Sequence, residues 1–173
     1  DPGDEYLGIA LGGLTKGVSP EQMASAYTAF ANKGVRVQPR FVTKIVDANG
    51  KVVVDNTAVK ENRVTTEEVA KKMTSMLLTV YGSEGLGAPF SPAGKTIAGK
   101  TGTTEAINND NGSRDQWMIG YTPDVVVATW MGYDQSGNYS LSASSREGVG
   151  PLFKLEMEGL LQFTANTPFN VEA

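Results

Sequence analysis

The sequence contains no cysteine and no histidine, and these two absences exclude more chemistry than any residue present. Without cysteine there is no disulfide scaffold and no thiolate nucleophile. Without histidine there is no imidazole base for a serine triad, and zinc ligation by either residue type is closed. Ser, Thr, Lys, Asp, Glu and backbone amides must carry whatever chemistry the chain performs. The lack of cysteine fits an extracytoplasmic protein as well as a cytosolic one, so it leaves the redox compartment open. Long hydrophobic runs are also missing: no stretch approaches the ~18 consecutive apolar residues of a membrane helix, and no charged segment leads into an apolar one as in a secretory signal. Positive charge is not in excess. Fifteen Lys and Arg against 19 Asp and Glu give a net charge of −4, which argues against nonspecific nucleic-acid binding and a polybasic membrane patch. The chain opens Asp1-Pro2-Gly3 without a methionine, which leads us to expect a piece of something longer.

What is present is globular material. At 173 residues, 40% apolar and 20% charged, the chain suits about one domain on a scale of roughly 100 to 200 residues each. Its composition is far from collagenous or disordered sequence. Ser19 is a good helix N-cap, Pro20 suits the first helical position and Gln22 completes a capping box. With Met23, Tyr27, Phe30 and Ala31 at helical spacing and Gly34 as a stop, the pattern predicts a helix over 20–33. Between Phe41 and Val54, Asn49-Gly50 joins two β-branched runs and predicts a hairpin, because both residues tolerate positive φ. Thr65 and Glu68 read as a second capping box, opening a helix through Val69, Met73, Met76, Leu77 and Val80 to a stop at Gly82.

Residues 82–95 read as loop, and Thr96 to Thr104 as a strand built of small residues. Residues 105–115 carry polar turn chemistry. Two strands follow, Gln116 to Tyr121 and Val125 to Tyr133, joined by Thr122-Pro123-Asp124, where Pro presets φ and Asp is expected to bond back to its own backbone. Val125 to Trp130 is apolar almost throughout, which predicts a central strand covered on both faces. Pro151 opens a last helix with Leu152, Phe153, Leu155, Leu160 and Leu161, despite Gly159, which costs about 1 kcal/mol relative to Ala. No internal repeat is visible.

The conspicuous chemical string is Gly99-Lys100-Thr101-Gly102-Thr103-Thr104. Counted from Gly94 it satisfies the phosphate-loop spacing Gly-x-x-x-x-Gly-Lys-Thr. That loop, however, needs an apolar strand before it and a helix N-terminus after it. Here Ala88-Pro89-Phe90-Ser91-Pro92 precedes and an Asn/Asp/Gly tract follows. Asn108-Asn109-Asp110-Asn111-Gly112 hints at a calcium loop but has Ile107 where the leading aspartate belongs, and it reads as a surface loop. Tyr121, Trp130 and Tyr133 read as core or cleft wall rather than a stacking platform for bases.

The other reading of the string is Lys-Thr-Gly, which accompanies Ser-x-x-Lys and Ser-x-Asn in penicillin-binding proteins and serine β-lactamases. Ala98-Gly-Lys-Thr-Gly-Thr103, the strands from Trp117 to Asp124 and through Trp130-Met-Gly-Tyr-Asp134, the helix Gly17 to Gly34 and Pro151-Leu-Phe-Lys154 together resemble the C-terminal half of a penicillin-binding transpeptidase domain. They are most similar to the bifunctional class A enzymes. The resemblance implies an α+β fold, an antiparallel sheet flanked by helices, incomplete in this chain, with residues 1–173 as the C-terminal part of one domain.

In function it implies a D,D-transpeptidase that cross-links peptidoglycan stem peptides ending in D-Ala-D-Ala through a serine acyl-enzyme, is acylated by β-lactams and uses no cofactor or metal. Lys100 and Thr103 would be catalytic: the ammonium beside the serine cluster, the Thr103 N–H as an oxyanion donor. Thr101, Gly102, Thr103 and Thr104 would bind substrate, the hydroxyls of Thr101 and Thr103 holding its carboxylate. Gly102 would leave the strand edge open to an extended peptide.

No serine in the sequence is followed three residues later by lysine. Ser136-Gly137-Asn138 matches Ser-x-Asn but stands after Lys-Thr-Gly, whereas the family places it before, so it reads as a turn. The nucleophile and the Ser-x-Asn motif are therefore expected on polypeptide upstream, which would be the chain's docking partner. Alone, the chain would expose a sheet edge and half a core and would aggregate or misfold. The location implied is the extracytoplasmic face of the bacterial membrane, anchored by a segment outside this chain. A D,D-carboxypeptidase, a β-lactamase or β-lactam sensor, and a noncatalytic carboxylate-binding module that has lost its serine are the alternatives. The lifetime of a penicilloyl complex separates the first enzymes.

Overall fold

A computed structural model describes residues 2–106, 112–134 and 139–171. Short 3-10 turns at Pro2–Asp4 and Leu7–Leu11 precede the first helix, α1 (Pro20–Ala31). Its start is the expected capping box: the Ser19 hydroxyl accepts from the Gln22 amide at 3.2 Å, and the Gln22 side-chain oxygen accepts from the Ser19 amide at 2.9 Å. The helix ends at Ala31, two residues short of the expected 33, and the chain leaves through Gly34 at φ +88°, where a Cβ would lie 2.3 Å from the Thr65 carbonyl oxygen, so the exit needs glycine for both reasons.

An excursion follows, made of β1 (Val35–Val37), β2 (Lys44–Val46), β3 (Val52–Asp55) and β4 (Glu61–Arg63). β2 and β3 form the expected hairpin, but its turn differs from the Asn-Gly expectation. Gly50 takes φ +81° while Asn49 does not adopt a positive φ. The Asp47 carboxylate organises the turn, accepting from the amides of Asn49 and Lys51, each at 2.9 Å. β1 and β4 pair antiparallel, Val35 opposite Arg63, a contact between distant segments that no local pattern announced.

Helix α2 (Glu67–Leu78) begins one residue later than expected. Thr66 is the cap, its hydroxyl accepting from the Val69 amide at 3.2 Å, and the helix ends four residues short of Gly82. Its buried stripe is Ala70, Thr74 and Leu77, whereas Val69 and Met76 are exposed. The small stripe wins because Thr74 reaches the sheet and bonds the Tyr121 hydroxyl at 2.9 Å, a buried polar contact that fixes the helix's rotation.

The main sheet has the order β5 (Ala98–Glu105), β6 (Ser113–Tyr121), β7 (Val126–Gly132), antiparallel throughout. The apolar strand expected at the centre, β7, is at the edge of the three; β6 is central, although β7 does receive helices α1 and α3 (Val149–Leu161). β6 also starts at Ser113, inside the tract expected as loop. Thr104 pairs with Asp115, a bulge follows at Glu105, and Ser113 bridges to Leu141. At the β6–β7 turn Asp124 does not bond its own backbone; the Thr122 hydroxyl accepts from the Asp124 amide at 3.1 Å. The Asp124 carboxylate instead holds Thr167, accepting from its amide at 2.8 Å and its hydroxyl at 2.6 Å. These bonds keep its pKa below the ordinary carboxylate value.

The sheet separates two cores. On one face α3 lays Val149, Phe153, Met157 and Leu161 against Ile97, Met118 and Val127, with Tyr81 and Phe90 completing the cluster. α3 starts two residues before Pro151, and its buried residues follow a spacing of four. Tyr81 stacks on Phe153 with ring centroids 5.6 Å apart and donates its hydroxyl to the Ile119 carbonyl at 2.9 Å. On the other face Leu77, Ala98 and Tyr121 pack with Tyr27, Phe30, Val126 and Phe169. Every buried side-chain N or O among the described residues has a hydrogen-bond partner. Among them no helix is long and apolar enough to cross a membrane.

Candidate active site

The Lys-Thr-Gly string lies in β5, the strand that pairs with β6 alone in the described sheet. An edge strand directs alternate N–H and C=O groups outward, which gives an extended ligand a backbone to pair with. The residues from Gly99 through Thr103 are strand and run on in β5 to Glu105, so among the described residues Lys100 does not open a helix as the lysine of a phosphate loop does.

The pleat divides the candidate residues between two faces. Register places Lys100 opposite Ile119, Gly102 opposite Trp117 and Thr104 opposite Asp115, on the face of Ala98 and Tyr121. Thr101 opposite Met118 and Thr103 opposite Gln116 are on the α3 face. Lys100 is exposed, and its ammonium donates to the Thr101 carbonyl at 2.7 Å. Beside it on its face, Trp117 and Trp130 lie 6.3 Å apart, with the Trp130 indole donating to the Asp115 carboxylate at 3.1 Å. Asp115 also pairs with Arg114 at 3.0 Å.

Thr103 and Thr104 are exposed, while Thr101 and Gly102 are half-buried. A Cβ at Gly102 would meet only the Trp117 Cβ, at 3.4 Å, so the fold itself does not require glycine at that position. The string thus presents an ammonium on one side of a strand edge and two hydroxyls on the other, with the Thr101 carbonyl between them already accepting from Lys100. That set can hold a carboxylate and stabilise an oxyanion, and it contains no nucleophile activated by a neighbouring base.

Two further residues shape this edge. Gln116, 1% exposed, donates to the Ser113 hydroxyl at 2.8 Å and the Ala143 carbonyl at 2.6 Å, and accepts from the Val149 amide at 3.4 Å. The sequence offers only a polar residue directly before the apolar run Trp117 to Tyr121 as a signal for it. Ser145 brings its hydroxyl within 3.2 Å of the Thr103 hydroxyl, a contact across 42 residues with no local signal. The calcium-loop candidate at Asn108 to Asn111 and the Ser136-Gly137-Asn138 match lie outside the described residues.

Residues 4–154 match the family described as the penicillin binding protein transpeptidase domain. The chain belongs to that family. It is 41% identical over 170 residues to Penicillin-binding protein 2a of Streptococcus pneumoniae, covering 98% of this chain and 23% of that protein. It is 39% identical over 143 residues to Penicillin-binding protein 1F of Bacillus subtilis, covering 82% of this chain and 20% of that protein. The chain thus spans about a quarter or less of the curated relatives it matches. Among solved structures, PonA1 of Mycobacterium tuberculosis in complex with penicillin V superposes with a TM-score of 0.68 at 33% identity, over 86% of this chain and 41% of that one. The α+β architecture expected from the sequence, an antiparallel sheet with flanking helices, is the architecture of that family.

Proposed function

We propose that the chain is the C-terminal part, residues 1–173, of the transpeptidase domain of a class A penicillin-binding protein, and that it supplies the substrate-binding edge of a D,D-transpeptidase. The observation that carries the reading is the placement of Lys100-Thr101-Gly102-Thr103 along an exposed strand edge, in a chain whose relatives are penicillin-binding proteins. The stem peptide lies antiparallel to β5 with its terminal carboxylate against the hydroxyls of Thr101 and Thr103, and Thr104 lines the continuation of the edge. Lys100 holds a positive charge beside the serine that attacks. That serine belongs to polypeptide outside this sequence, since no serine here stands three residues before a lysine.

In the reaction the serine oxygen adds to the carbonyl of the D-Ala-D-Ala bond, and its proton passes to the base paired with it. The Thr103 N–H donates to the oxyanion, a contact worth about 2.7 to 4 kcal/mol where such a donor has been removed. The base then gives that proton to the amide nitrogen, the C–N bond breaks and D-Ala leaves as the free amine. The amine of a second stem peptide attacks the acyl-enzyme, forms the cross-link and returns the proton to serine. A β-lactam enters the same pathway and stops at the acyl-enzyme. The reading places the domain on the extracytoplasmic face of the bacterial membrane, held there by a segment outside this chain.

The test is fluorescent penicillin incubated with the native protein, followed by denaturing separation and peptide mapping. Label on a serine outside these 173 residues is expected. No label at all overturns the reading, and label on a serine within this sequence overturns the assignment of the nucleophile.

A further inference from the structure

We infer that Ser145 is a carboxylate-binding residue of this site, its hydroxyl acting with that of Thr103 on the terminal carboxylate of the acyl donor. The inference rests on the transpeptidase reading and adds a residue from a separate segment, the turn that leads into α3. Thr103 is exposed on the α3 side of β5, and the half-buried Ser145 meets it hydroxyl to hydroxyl at 3.2 Å. Each hydroxyl has one proton and rotates freely about its C–O bond. Unliganded, one donates to the other; a carboxylate arriving at the edge accepts from both, and a hydrogen bond to a charged acceptor is about twice as strong as the neutral one it replaces.

The turn is built to hold Ser145 in place. Its carbonyl accepts from the Gly150 amide at 2.9 Å, and the Ser144 carbonyl accepts from the amides of Glu147 and Gly148 at 3.0 and 2.8 Å. Buried Gln116 grips the turn at both ends through Ala143 and Val149. The backbone is pressed onto the sheet and its neighbours so closely that a Cβ at Gly148 would lie 2.8 Å from the Gln116 oxygen, and one at Gly150 would lie 2.4 Å from the Phe90 ring. The acidic residue of the turn, Glu147, has its Oε2 engaged by the Ser144 amide and hydroxyl at 3.1 and 2.8 Å. A pinned hydroxyl that touches an exposed threonine is what preorganised recognition of a small anion requires.

The experiment compares acylation rate constants of the protein that carries the nucleophile for benzylpenicillin and for its methyl ester, in the parent, Ser145→Ala and Ser145→Thr. The preference for carboxylate over ester is expected to fall about tenfold or more in Ser145→Ala, the loss of one charge-assisted bond, and to recover in Ser145→Thr. A double Thr103→Ala, Ser145→Ala variant should lose less preference than the two single losses multiplied, because both hydroxyls serve one carboxylate. An unchanged preference in Ser145→Ala, including equal slowing with both compounds, overturns the inference. A parent protein that neither compound acylates overturns the transpeptidase reading instead.

Discussion

Two glycines of β5, three residues apart, should respond to alanine in opposite ways. At Gly99 a Cβ would fall 1.9 Å from the Ile119 carbonyl oxygen and 2.8 Å from the Tyr81 ring. The obstacle is partly backbone, so β5 and β6 must separate and the Tyr81–Ile119 hydrogen bond must break. Overpacking of this kind costs about 1 to 3 kcal/mol, and the lost bond adds about 1 kcal/mol. At roughly 2 to 4 °C per kcal/mol for a chain of this size, Tm falls by about 4 to 16 °C.

At Gly102 the same methyl meets one atom at an ordinary contact distance of 3.4 Å, and the backbone has no positive φ to strain. Gly102→Ala should therefore leave Tm unchanged or raise it by about 1 to 4 °C, because alanine restricts the unfolded chain by about 0.4 to 1 kcal/mol. On the proposed placement of the peptide along β5, however, the methyl stands on the Trp117 face beside that edge and crowds the bound peptide, and a displacement of about 1 Å costs on the order of 100-fold in rate. The assay, on the protein that carries the nucleophile, is paired: thermal melting and the second-order rate of acylation by penicillin. Acylation of Gly102→Ala at the parent rate would refute the placement of substrate along β5. A Tm for Gly102→Ala as low as that for Gly99→Ala would refute the steric argument.

Phe153, fully buried between Tyr81 and the space over Gly120, should cost about 3 to 5 kcal/mol on replacement by alanine; chemical denaturation measures this, and a loss below about 1 kcal/mol would contradict the α3 core. Asp124 has a lowered pKa because Thr167 donates to it twice. Its contribution is in full force above the unfolded carboxylate value of ~3.9 and is lost as pH falls through the lower folded value. Protection of the Thr167 amide, its exchange rate relative to the intrinsic rate at each pH, should fall over that acid range, and Asp124→Asn should remove the pH dependence of the protection. Burial pushes the Tyr121 phenol up to about 12, against the opposing hydrogen bond from Thr74. The neutral form is the folded one, so this contribution is complete below the unfolded value of ~10 and disappears as pH rises toward about 12. Tyrosinate absorbance should show a late step coincident with unfolding that Tyr121→Phe reduces; ionisation of Tyr121 alongside exposed tyrosines would contradict its burial.

Local chemistry was legible in the sequence where a residue and its partner lie within one turn. Ser19 and Gln22 cap α1 as read, and the hairpin sits where Asn49-Gly50 placed it, although Asp47 rather than Asn49 shapes the turn. The failures come from long-range contacts. The buried stripe of α2 was set by Thr74 meeting Tyr121 across 47 residues, which outweighed the apolar spacing of Val69 and Met76. The N-terminal extension of β6 depends on the bridge from Ser113 to Leu141, and β1 finds β4 across the intervening hairpin. At the site, Lys100, Thr101, Gly102 and Thr103 were legible as a string of types, whereas their division between faces required a register. Ser145 could not be read at all, because its only mark is proximity.

The alternation of β5 has a consequence for how this stretch can change. Substitutions act one position at a time, but insertion or deletion of a single residue between Ala98 and Thr103 would exchange the two faces, turning the ammonium toward α3 and the hydroxyls toward the tryptophans. A two-residue change would restore the faces yet slide the string by about 7 Å along the edge, carrying Thr103 away from Ser145. The segment should therefore tolerate altered side chains far better than altered length, and variation in length in this part of the chain should collect beyond Glu105, where the strand has already delivered its groups.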